Sequence, residues 1–425
     1  MKVLIVTYYW PPSGGSGVQR WLKFVKYLQE FGIEPIVYTV DNPSYPIVDA
    51  SLENEIPKNT TILKQPIWEP NTFLSNFKKN TTQQSAGFLN PNPSFVGKVL
   101  HYVRANYFIP DARKFWIKPS VNYLEKYISE NAIDAIITSG PPHSLHLIGL
   151  ALKKKLHITW ISDFRDPWTE IDYFEQLPLT PKAINKHHQL EQEVLKNSDA
   201  VLVIGKTMKD KFQEFSDSVY VLTNGYDSEK KEVEIALDSE FTITHVGLMN
   251  ADRNPIFLWK AISEICKKNE DFAKDYKVQF VGQIASEVEQ SLLDYKITNI
   301  KNVGYVSHQK VNEFQQKSQV LLLAVNNVKS AKGIITGKIF EYLQAKRPIL
   351  ALGPIDGDLA EIIKETNAGC ILDFKDVDSI QIELLKMYES YQKNQLKGSS
   401  KNIEYYHRKN LTKRLSEIIK ETISK

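Results

Sequence analysis

Short apolar runs that alternate with helical patterns constrain the fold of this chain more than any other feature. Residues 3–7 and 35–40 have the composition of buried strands. Between them, residues 18–31 carry apolar side chains at helical spacing and end at Gly32. Strands that alternate with helices run parallel and are covered by helices on both faces. The pattern therefore predicts a doubly wound parallel α/β fold. Further strands of this first set are predicted at residues 133–138, 159–162, 200–204 and 219–222.

A second alternating set begins at residues 241–247, and 425 residues are too many for one ordinary core. We therefore predict two domains, an N-terminal domain at 1–225 and a C-terminal domain at 226–404. A final helix within 405–425 is expected to complete the first domain. The turn and charged segment at 223–232 is the predicted linker, and residues 41–95 are interpreted as long loops. Strands of the second set are predicted near residues 278–281, 303–305, 320–324 and 349–352.

Composition excludes several classes of function. A net charge of only +3 argues against a nucleic-acid partner. No apolar run approaches the roughly 20 residues that span a bilayer, and the N-terminal apolar run is too short for a signal peptide. The two cysteines lie far apart, and no His, Cys or Asp spacing indicates a metal site. We expect a cytoplasmic protein that is soluble, or at most attached peripherally to the inner face of the plasma membrane.

The glycine-rich loop after the first predicted strand is a candidate anion site. Gly14, Gly15 and Gly17 permit close backbone approach, and the helix that follows favours a negative charge at its N-terminus. The loop is not a dinucleotide fingerprint, because Arg20 occupies the third Gly/Ala position. It is not a P-loop either, since no Gly-Lys-Ser/Thr follows. A plain strand–helix turn is the alternative.

Polar side chains lie at the carboxyl ends of two further predicted strands, where ligands gather in open α/β sheets. His143 is a candidate polar contact or proton-handling group. Asp163, Arg165 and Asp166 form a compact group that could hold sugar hydroxyls or an acceptor. An ion network that stabilises the loop is the alternative. Two carboxylates also occur in glycosidases, but this spacing fixes no such geometry.

The most specific signal of the second set is the segment 336–352, a loop, a helix start and a buried strand. Gly337 precedes the helix, Lys338 lies in its first turn, and Glu341 follows on the same face. Arg253, after the first strand of this set, is suited to a diphosphate. These residue types predict a nucleoside-diphosphate site. An ordinary helix with solvated charges is the alternative.

Basic and aromatic residues interleave at residues 95–118, as they do in segments that lie on membrane surfaces. An amphipathic core helix followed by a proline-marked loop is the alternative, and it fits the pattern equally simply.

Together these motifs resemble the retaining glycosyltransferases of family 4, which have the GT-B fold. The resemblance rests on the Gly-Gly-Ser-Gly loop, Asp-Phe-Arg-Asp-Pro-Trp at 163–168, the Asn-Gly-Tyr-Asp turn at 224–227 and Lys-Ile-Phe-Glu-Tyr-Leu at 338–343. It implies two Rossmann-like domains facing across a cleft. It also implies that Glu341 binds the donor ribose and that Lys338 and Arg253 hold the diphosphate. The backbone of Gly15 and Gly17 would approach the diphosphate from the other side.

The implied reaction transfers a sugar, with retention, from a UDP- or GDP-type donor to a saccharide or lipid-linked acceptor in bacterial surface polysaccharide synthesis. It needs neither metal nor cofactor, because cationic side chains offset the charge of the leaving group. Gly333 and Leu248 depart from the family pattern, which has Glu and Arg at those positions. Two alternatives stay open: a nucleotide-sugar epimerase or hydrolase of the same fold, and a non-catalytic carbohydrate-binding subunit.

Overall fold

A computed structural model describes residues 1–69, 95–171, 174–227, 235–306 and 308–425. It divides into two compact units, one of residues 1–224 and 408–425 and one of residues 225–407. Residues 228–232 of the predicted linker lie outside the described residues. Each unit has its own parallel sheet and its own hydrophobic core.

The strands of the first unit are β1 (Lys2–Val6), β2 (Glu34–Val40), β3 (Thr61–Gln65), β4 (Ala135–Gly140), β5 (Thr159–Phe164), β6 (Ala200–Val203) and β7 (Val219–Val221). Its helices before the second unit are α1 (Ser16–Leu28), α2 (Phe95–Tyr107), α3 (Lys114–Glu130), α4 (Ser144–Leu156), α5 (Pro181–Asn197) and α6 (Lys206–Phe212).

All strand pairs of the first unit are parallel, in the order β3-β2-β1-β4-β5-β6-β7. The chain therefore builds outward from β1 in one direction and then returns to build outward from β4 in the other. Such a switch point leaves a crevice at the carboxyl ends of the two central strands. The glycine-rich loop follows β1 and the His143 loop follows β4, so both lie at this edge.

The strands of the second unit are β8 (Phe241–Val246), β9 (Tyr276–Val281), β10 (Ile300–Asn302), β11 (Val320–Ala324), β12 (Ile349–Leu352) and β13 (Gly369–Leu372). Its helices are α7 (Ile256–Lys268), α8 (Glu270–Asp275), α9 (Ser286–Asp294), α10 (His308–Lys317), α11 (Lys338–Ala345), α12 (Asp358–Thr366) and α13 (Val377–Gln392). The parallel order β10-β9-β8-β11-β12-β13 is that of a Rossmann sheet, with the switch point between β8 and β11.

The C-terminal helix α14 (Arg408–Ser424) packs on α1 of the first unit. Leu411, Leu415 and Ile419 are buried there in one cluster with Trp21 and Val25. Their spacing of four residues places them on one face of α14. The last 18 residues thus contribute core to a unit that otherwise ends at Asn224.

Three sequence predictions are corrected here. The strand predicted at 303–305 lies earlier, as β10, and residues 41–95 contain β3 rather than loops alone. Strand β5 runs to Phe164, so Asp163 is a strand residue and not part of the loop that follows. Asp163 can remain in the sheet interior because a buried guanidinium neutralises it, as described below.

Candidate functional site

In the second unit, Lys338 lies over the end of the first strand. Gly247 follows β8 with φ of 93°, a conformation that favours glycine. A Cβ atom added there would lie 2.7 Å from Lys338 Cε, so the missing side chain makes room for the lysine. Lys338 Nζ donates to the carbonyl oxygen of Leu248 at 3.3 Å. The turn after β8 thus fixes the ammonium group at the carboxyl edge of the sheet.

Arg253 reaches the same carbonyl group. Its Nη1 donates to the oxygen of Leu248 at 3.1 Å, so two cationic side chains converge on one acceptor. Arg253 lies in a short 3-10 turn at Ala251–Arg253 between β8 and α7 and is half-buried. Two like charges this close repel one another, and a bound anion would relieve that repulsion.

The electrostatics of Lys338 show this crowding. Burial, followed by the positive charge of Arg253, lowers the pKa of Lys338 to about 7, while Glu341 acts in the opposite direction. The Nε2 atom of His245 lies 3.5 Å from Lys338 Nζ, and its Nδ1 lies 3.2 Å from the oxygen of Leu322. Burial and the two cations hold the pKa of His245 well below its usual value, so the ring is neutral.

Helix α11 positions Lys338 through Tyr342, one turn later on the same face. The Tyr342 hydroxyl accepts a hydrogen bond from the amide of Val246 at 3.0 Å and donates to the oxygen of Leu322 at 3.3 Å. These two bonds tie the helix to strands β8 and β11. The first turn of α11 is therefore held beside the loop that carries Arg253.

Glu341 and Gly337 complete the predicted group in this unit. Glu341 is half-buried, and its Oε2 accepts a hydrogen bond from Gln315 Nε2 at 3.0 Å. Gly337 is exposed at the N-cap of α11 with φ of −58°, which any residue can adopt. A Cβ atom there would meet no heavy atom within 4 Å. The backbone does not require this glycine, and the space above it is open to a ligand.

In the first unit, packing explains the glycine-rich loop. Gly15 has φ of 83° and ψ of −176° at the N-cap of α1, a region that is almost exclusive to glycine. A Cβ atom on Gly14 would lie 2.7 Å from Ile47, and one on Gly17 would lie 3.0 Å from Nη1 of Arg165. Close approach within the unit therefore accounts for all three glycines before any ligand is considered.

Asp163 is fully buried and its carboxylate is saturated. Arg20 donates to it from Nε at 3.1 Å and from Nη2 at 2.8 Å. Trp21 Nε1 donates at 2.8 Å and the Ser139 hydroxyl at 3.0 Å. Although burial opposes it, the charges of Arg20 and Arg165 hold the pKa of Asp163 below its usual value. This geometry favours a structural clamp between α1 and the sheet over direct contact with substrate.

Arg165 joins the two loops at the switch point. Its Nη1 donates to the carbonyl oxygen of Gly17 at 2.7 Å, and its Nη2 donates to that of Pro141. The guanidinium carbon lies 5.6 Å from the ring centre of Tyr9. Burial lowers the pKa of Arg165, and the neighbouring carboxylate of Asp166, itself half-buried, partly offsets this. The loops after β1 and β4 are thereby held in fixed relation.

His143 lies at the N-cap of α4, and its ring stacks on Trp168 with centroids 4.9 Å apart. Burial, with His146 and Arg165 nearby, holds the pKa of His143 well below its usual value. The ring is neutral at physiological pH, so it can donate or accept a hydrogen bond but does not supply a positive charge. Asp111 accepts hydrogen bonds from the amide and hydroxyl of Ser144 and caps this helix.

Sequence reasoning missed two residues of these clusters. Arg20 was noted only as a departure from a glycine motif, yet it is the main partner of Asp163. Its place beside Trp21 on the buried face of α1 is a signal that could have indicated an internal partner. His245 lies within a buried strand, where its neighbourhood in sequence gives no sign of the lysine 93 positions later.

Metal-binding geometry was also searched among the side chains that the structure describes. No group of three or more His, Cys, Asp or Glu residues there is placed to hold a metal ion. The charged groups at both switch points are instead dominated by arginine and lysine.

A family model described as "Glycosyl transferases group 1" matches residues 240–390. The match covers most of the second unit and includes Arg253, Lys338 and Glu341. No curated protein matches the chain.

Solved structures resemble the chain over nearly its whole length. The N-terminal domain of trehalose-6-phosphate phosphatase from Candida albicans has a TM-score of 0.65 at 12% identity, covering 99% of this chain and 97% of that one. S. aureus TarM, solved with Fondaparinux, alpha-GlcNAc-glycerol and UDP, has a TM-score of 0.59 at 11% identity, covering 98% and 99%. UDP-GlcNAc 2-epimerase from Methanocaldococcus jannaschii has a TM-score of 0.53 at 13% identity, covering 99% and 100%. The predicted GT-B fold class is confirmed, and likenesses at such identities show the fold alone.

Proposed function

We propose that the protein is a GT-B glycosyltransferase that takes a nucleotide-diphosphate sugar, of UDP or GDP type, as its donor. The acceptor is a saccharide or a lipid-linked glycan, as in bacterial surface polysaccharide synthesis. The convergence of Lys338 and Arg253 on the carbonyl of Leu248 is the observation that carries this proposal. Two cations crowded at the carboxyl edge of a Rossmann sheet match the charge of a diphosphate.

Each residue of this cluster has a proposed task. Lys338 and Arg253 contact the diphosphate and stabilise the negative charge that develops on the leaving group. Glu341 accepts hydrogen bonds from the ribose hydroxyls, and the open space above Gly337 admits the phosphates at the start of α11. Because two side-chain cations supply the charge, we expect the reaction to proceed without a metal or any further cofactor.

In the first unit, we propose that His143 and Asp166 contact the acceptor, while Asp163 and Arg165 position them. Retention fits a front-face reaction in which the leaving phosphate deprotonates the acceptor hydroxyl. That route needs no carboxylate nucleophile, which is compatible with an Asp163 carboxylate already saturated by four donors.

Nucleotide binding tests the proposal first. Thermal unfolding is measured with UDP, GDP, ADP and CMP, using wild type, Glu341→Ala and the exposed control Glu389→Ala. A ligand at about 100 times its Kd stabilises the protein by about 2.7 kcal/mol. One diphosphate should stabilise wild type and Glu389→Ala but stabilise Glu341→Ala much less. No response to any nucleotide would favour a non-catalytic carbohydrate-binding protein.

The epimerase neighbour makes nucleotide-sugar epimerisation or hydrolysis the second candidate. The two are separated by incubating the protein with the nucleotide sugar of the preferred base, with and without saccharide acceptors. Transfer predicts that nucleotide release depends on acceptor and that the product keeps the anomeric configuration by NMR. An epimerised donor, or equal release without acceptor, would contradict transfer.

A further inference from the structure

Helix α2 of the first unit turns its apolar side chains outward. No residue of this helix is buried. Its large apolar residues are between 37% and 82% exposed, although a surface helix normally directs such residues into the core. We call these residues the apolar face: Phe95, Val96, Val99, Leu100, Tyr102, Val103 and Tyr107.

Small and polar residues hold the opposite side of α2. Gly97, His101 and Ala105 recur every fourth position and are all less exposed than the apolar face. The Asn106 amide donates to the oxygen of Pro178 at 2.8 Å and accepts from the amide of Thr180 at 2.7 Å. The helix is therefore fixed in this inverted orientation by specific hydrogen bonds and small-residue contacts.

An exposed aromatic cluster continues the apolar face beyond Tyr107. Trp68 and Phe115, which are 58% and 40% exposed, pack edge to face with ring centres 4.8 Å apart. Phe108 lies 5.8 Å from Phe115 and joins the cluster to the end of α2. Lys114 Nζ lies over these rings and donates to the oxygen of Tyr107.

The charge around this surface has one sign. Helix α2 contains Lys98 and Arg104 and no acidic residue, and Lys118 follows on α3. In the part of the chain that the structure describes, no ion pair is recorded for these three side chains. Asp111, the one acidic residue of segment 95–118, is occupied in capping α4. The surface is thus apolar in the centre and basic at its edges.

We propose that the apolar face of α2, with Trp68 and Phe115, docks on a bilayer that contains anionic phospholipid. Apolar and aromatic side chains enter the interface while lysine and arginine at the edges contact phosphate groups. Among the helices described, none is long and apolar enough to cross a membrane, so this helix lies along the surface. The proposal rests on the first unit alone and does not depend on the proposed transfer reaction.

Co-sedimentation with vesicles tests this docking on the full chain. Phosphatidylcholine vesicles are compared with vesicles that contain about one third phosphatidylglycerol. We expect the wild type to bind the anionic vesicles several-fold more, and high salt to weaken that binding. Equal binding to both vesicle types, or binding to neither, would overturn the proposal; the latter would mean that the face is covered within the chain.

Two variants and a control assign the binding to α2. Val99→Glu with Val103→Glu should abolish vesicle binding, and Lys98→Glu with Arg104→Glu should reduce it at low salt. Ile382→Glu changes a residue that is 67% exposed on α13 and should leave binding unchanged. Vesicle binding retained in both double variants would overturn the assignment. A wild-type dimer that Val99→Glu with Val103→Glu dissociates, without vesicle binding, would instead show that a second copy covers the face.

Discussion

Lys338 gives the proposed nucleotide site a pH dependence with a definite sign. With its pKa lowered to about 7, the free side chain is largely neutral at pH 8, and a bound diphosphate would favour its protonation. Binding should therefore take up to about one proton at pH 8, and Kd should rise with pH by at most tenfold per unit. Calorimetry in two buffers of different ionisation enthalpy measures this uptake.

The same lowered pKa has a consequence for stability. Between pH 7 and about 10.4 the unfolded chain binds more protons at Lys338 than the folded one, so this lysine makes unfolding harder as pH rises. Lys338→Met should remove both the proton uptake and this stability slope. Equal binding heats in the two buffers for wild type would contradict the role given to Lys338.

Asp163 and Arg20 form the buried ion pair of the first unit, and breaking it should be costly. Asp163→Asn leaves the Arg20 guanidinium buried without its carboxylate and should lower the unfolding free energy by about 3–5 kcal/mol. Glu193→Gln, in the exposed pair with Lys154, should change it by less than about 1 kcal/mol. Urea denaturation measures both, and similar values for the two variants would refute the clamp.

At the scale of elements, the predicted strands fail where sheets end. Strands β3, β10 and β13 are all edge strands, and β10 has no buried residue. An edge strand needs fewer apolar residues, so the signal that correctly located the central strands at 320–324 and 349–352 is weak there. The residues around 303–305 drew the prediction because they are more apolar than the strand itself.

Contacts between distant elements explain what the sequence left open at the site. The residue types around Lys338 indicated an anion site, but the shared carbonyl of Leu248 depends on how the turn after β8 meets α11. The pairing of Asp163 with Arg20 joins positions 143 residues apart. Local patterns identify such charged residues, whereas only the folded chain shows which of them face one another.

Two glycines at the starts of helices should respond differently to alanine. Gly15→Ala forces a side chain into a conformation that is almost exclusive to glycine and should destabilise the first unit by about 1–3 kcal/mol. Gly337→Ala fits its backbone and meets no neighbour, so stability should change by less than about 0.5 kcal/mol. If phosphates approach α11 there, Gly337→Ala should nevertheless weaken nucleotide binding, as calorimetry would show; unchanged affinity would place the phosphates elsewhere.

At the scale of the whole molecule, the two units differ in how the chain builds them. The second unit is the continuous segment 225–407, whereas the first needs α14 from the far end of the chain. A fragment of residues 225–407 should therefore fold alone and keep the nucleotide affinity of the cluster around Lys338. A fragment of residues 1–224 should aggregate, because it lacks the helix that covers Trp21 and Val25. Circular dichroism and calorimetry test both, and a well-folded 1–224 fragment would contradict this account.

The comparison that tests the central claim most directly is UDP against UMP, or the corresponding pair for the preferred base. Isothermal titration is run on wild type, Lys338→Met, Arg253→Met and the exposed control Lys397→Met. Since charge-assisted hydrogen bonds contribute about 1.5–3 kcal/mol, wild type and control should bind the diphosphate at least about tenfold more tightly than the monophosphate. Both cation variants should lose most of that preference. Equal affinity of wild type for the two nucleotides would contradict a diphosphate site at Lys338 and Arg253.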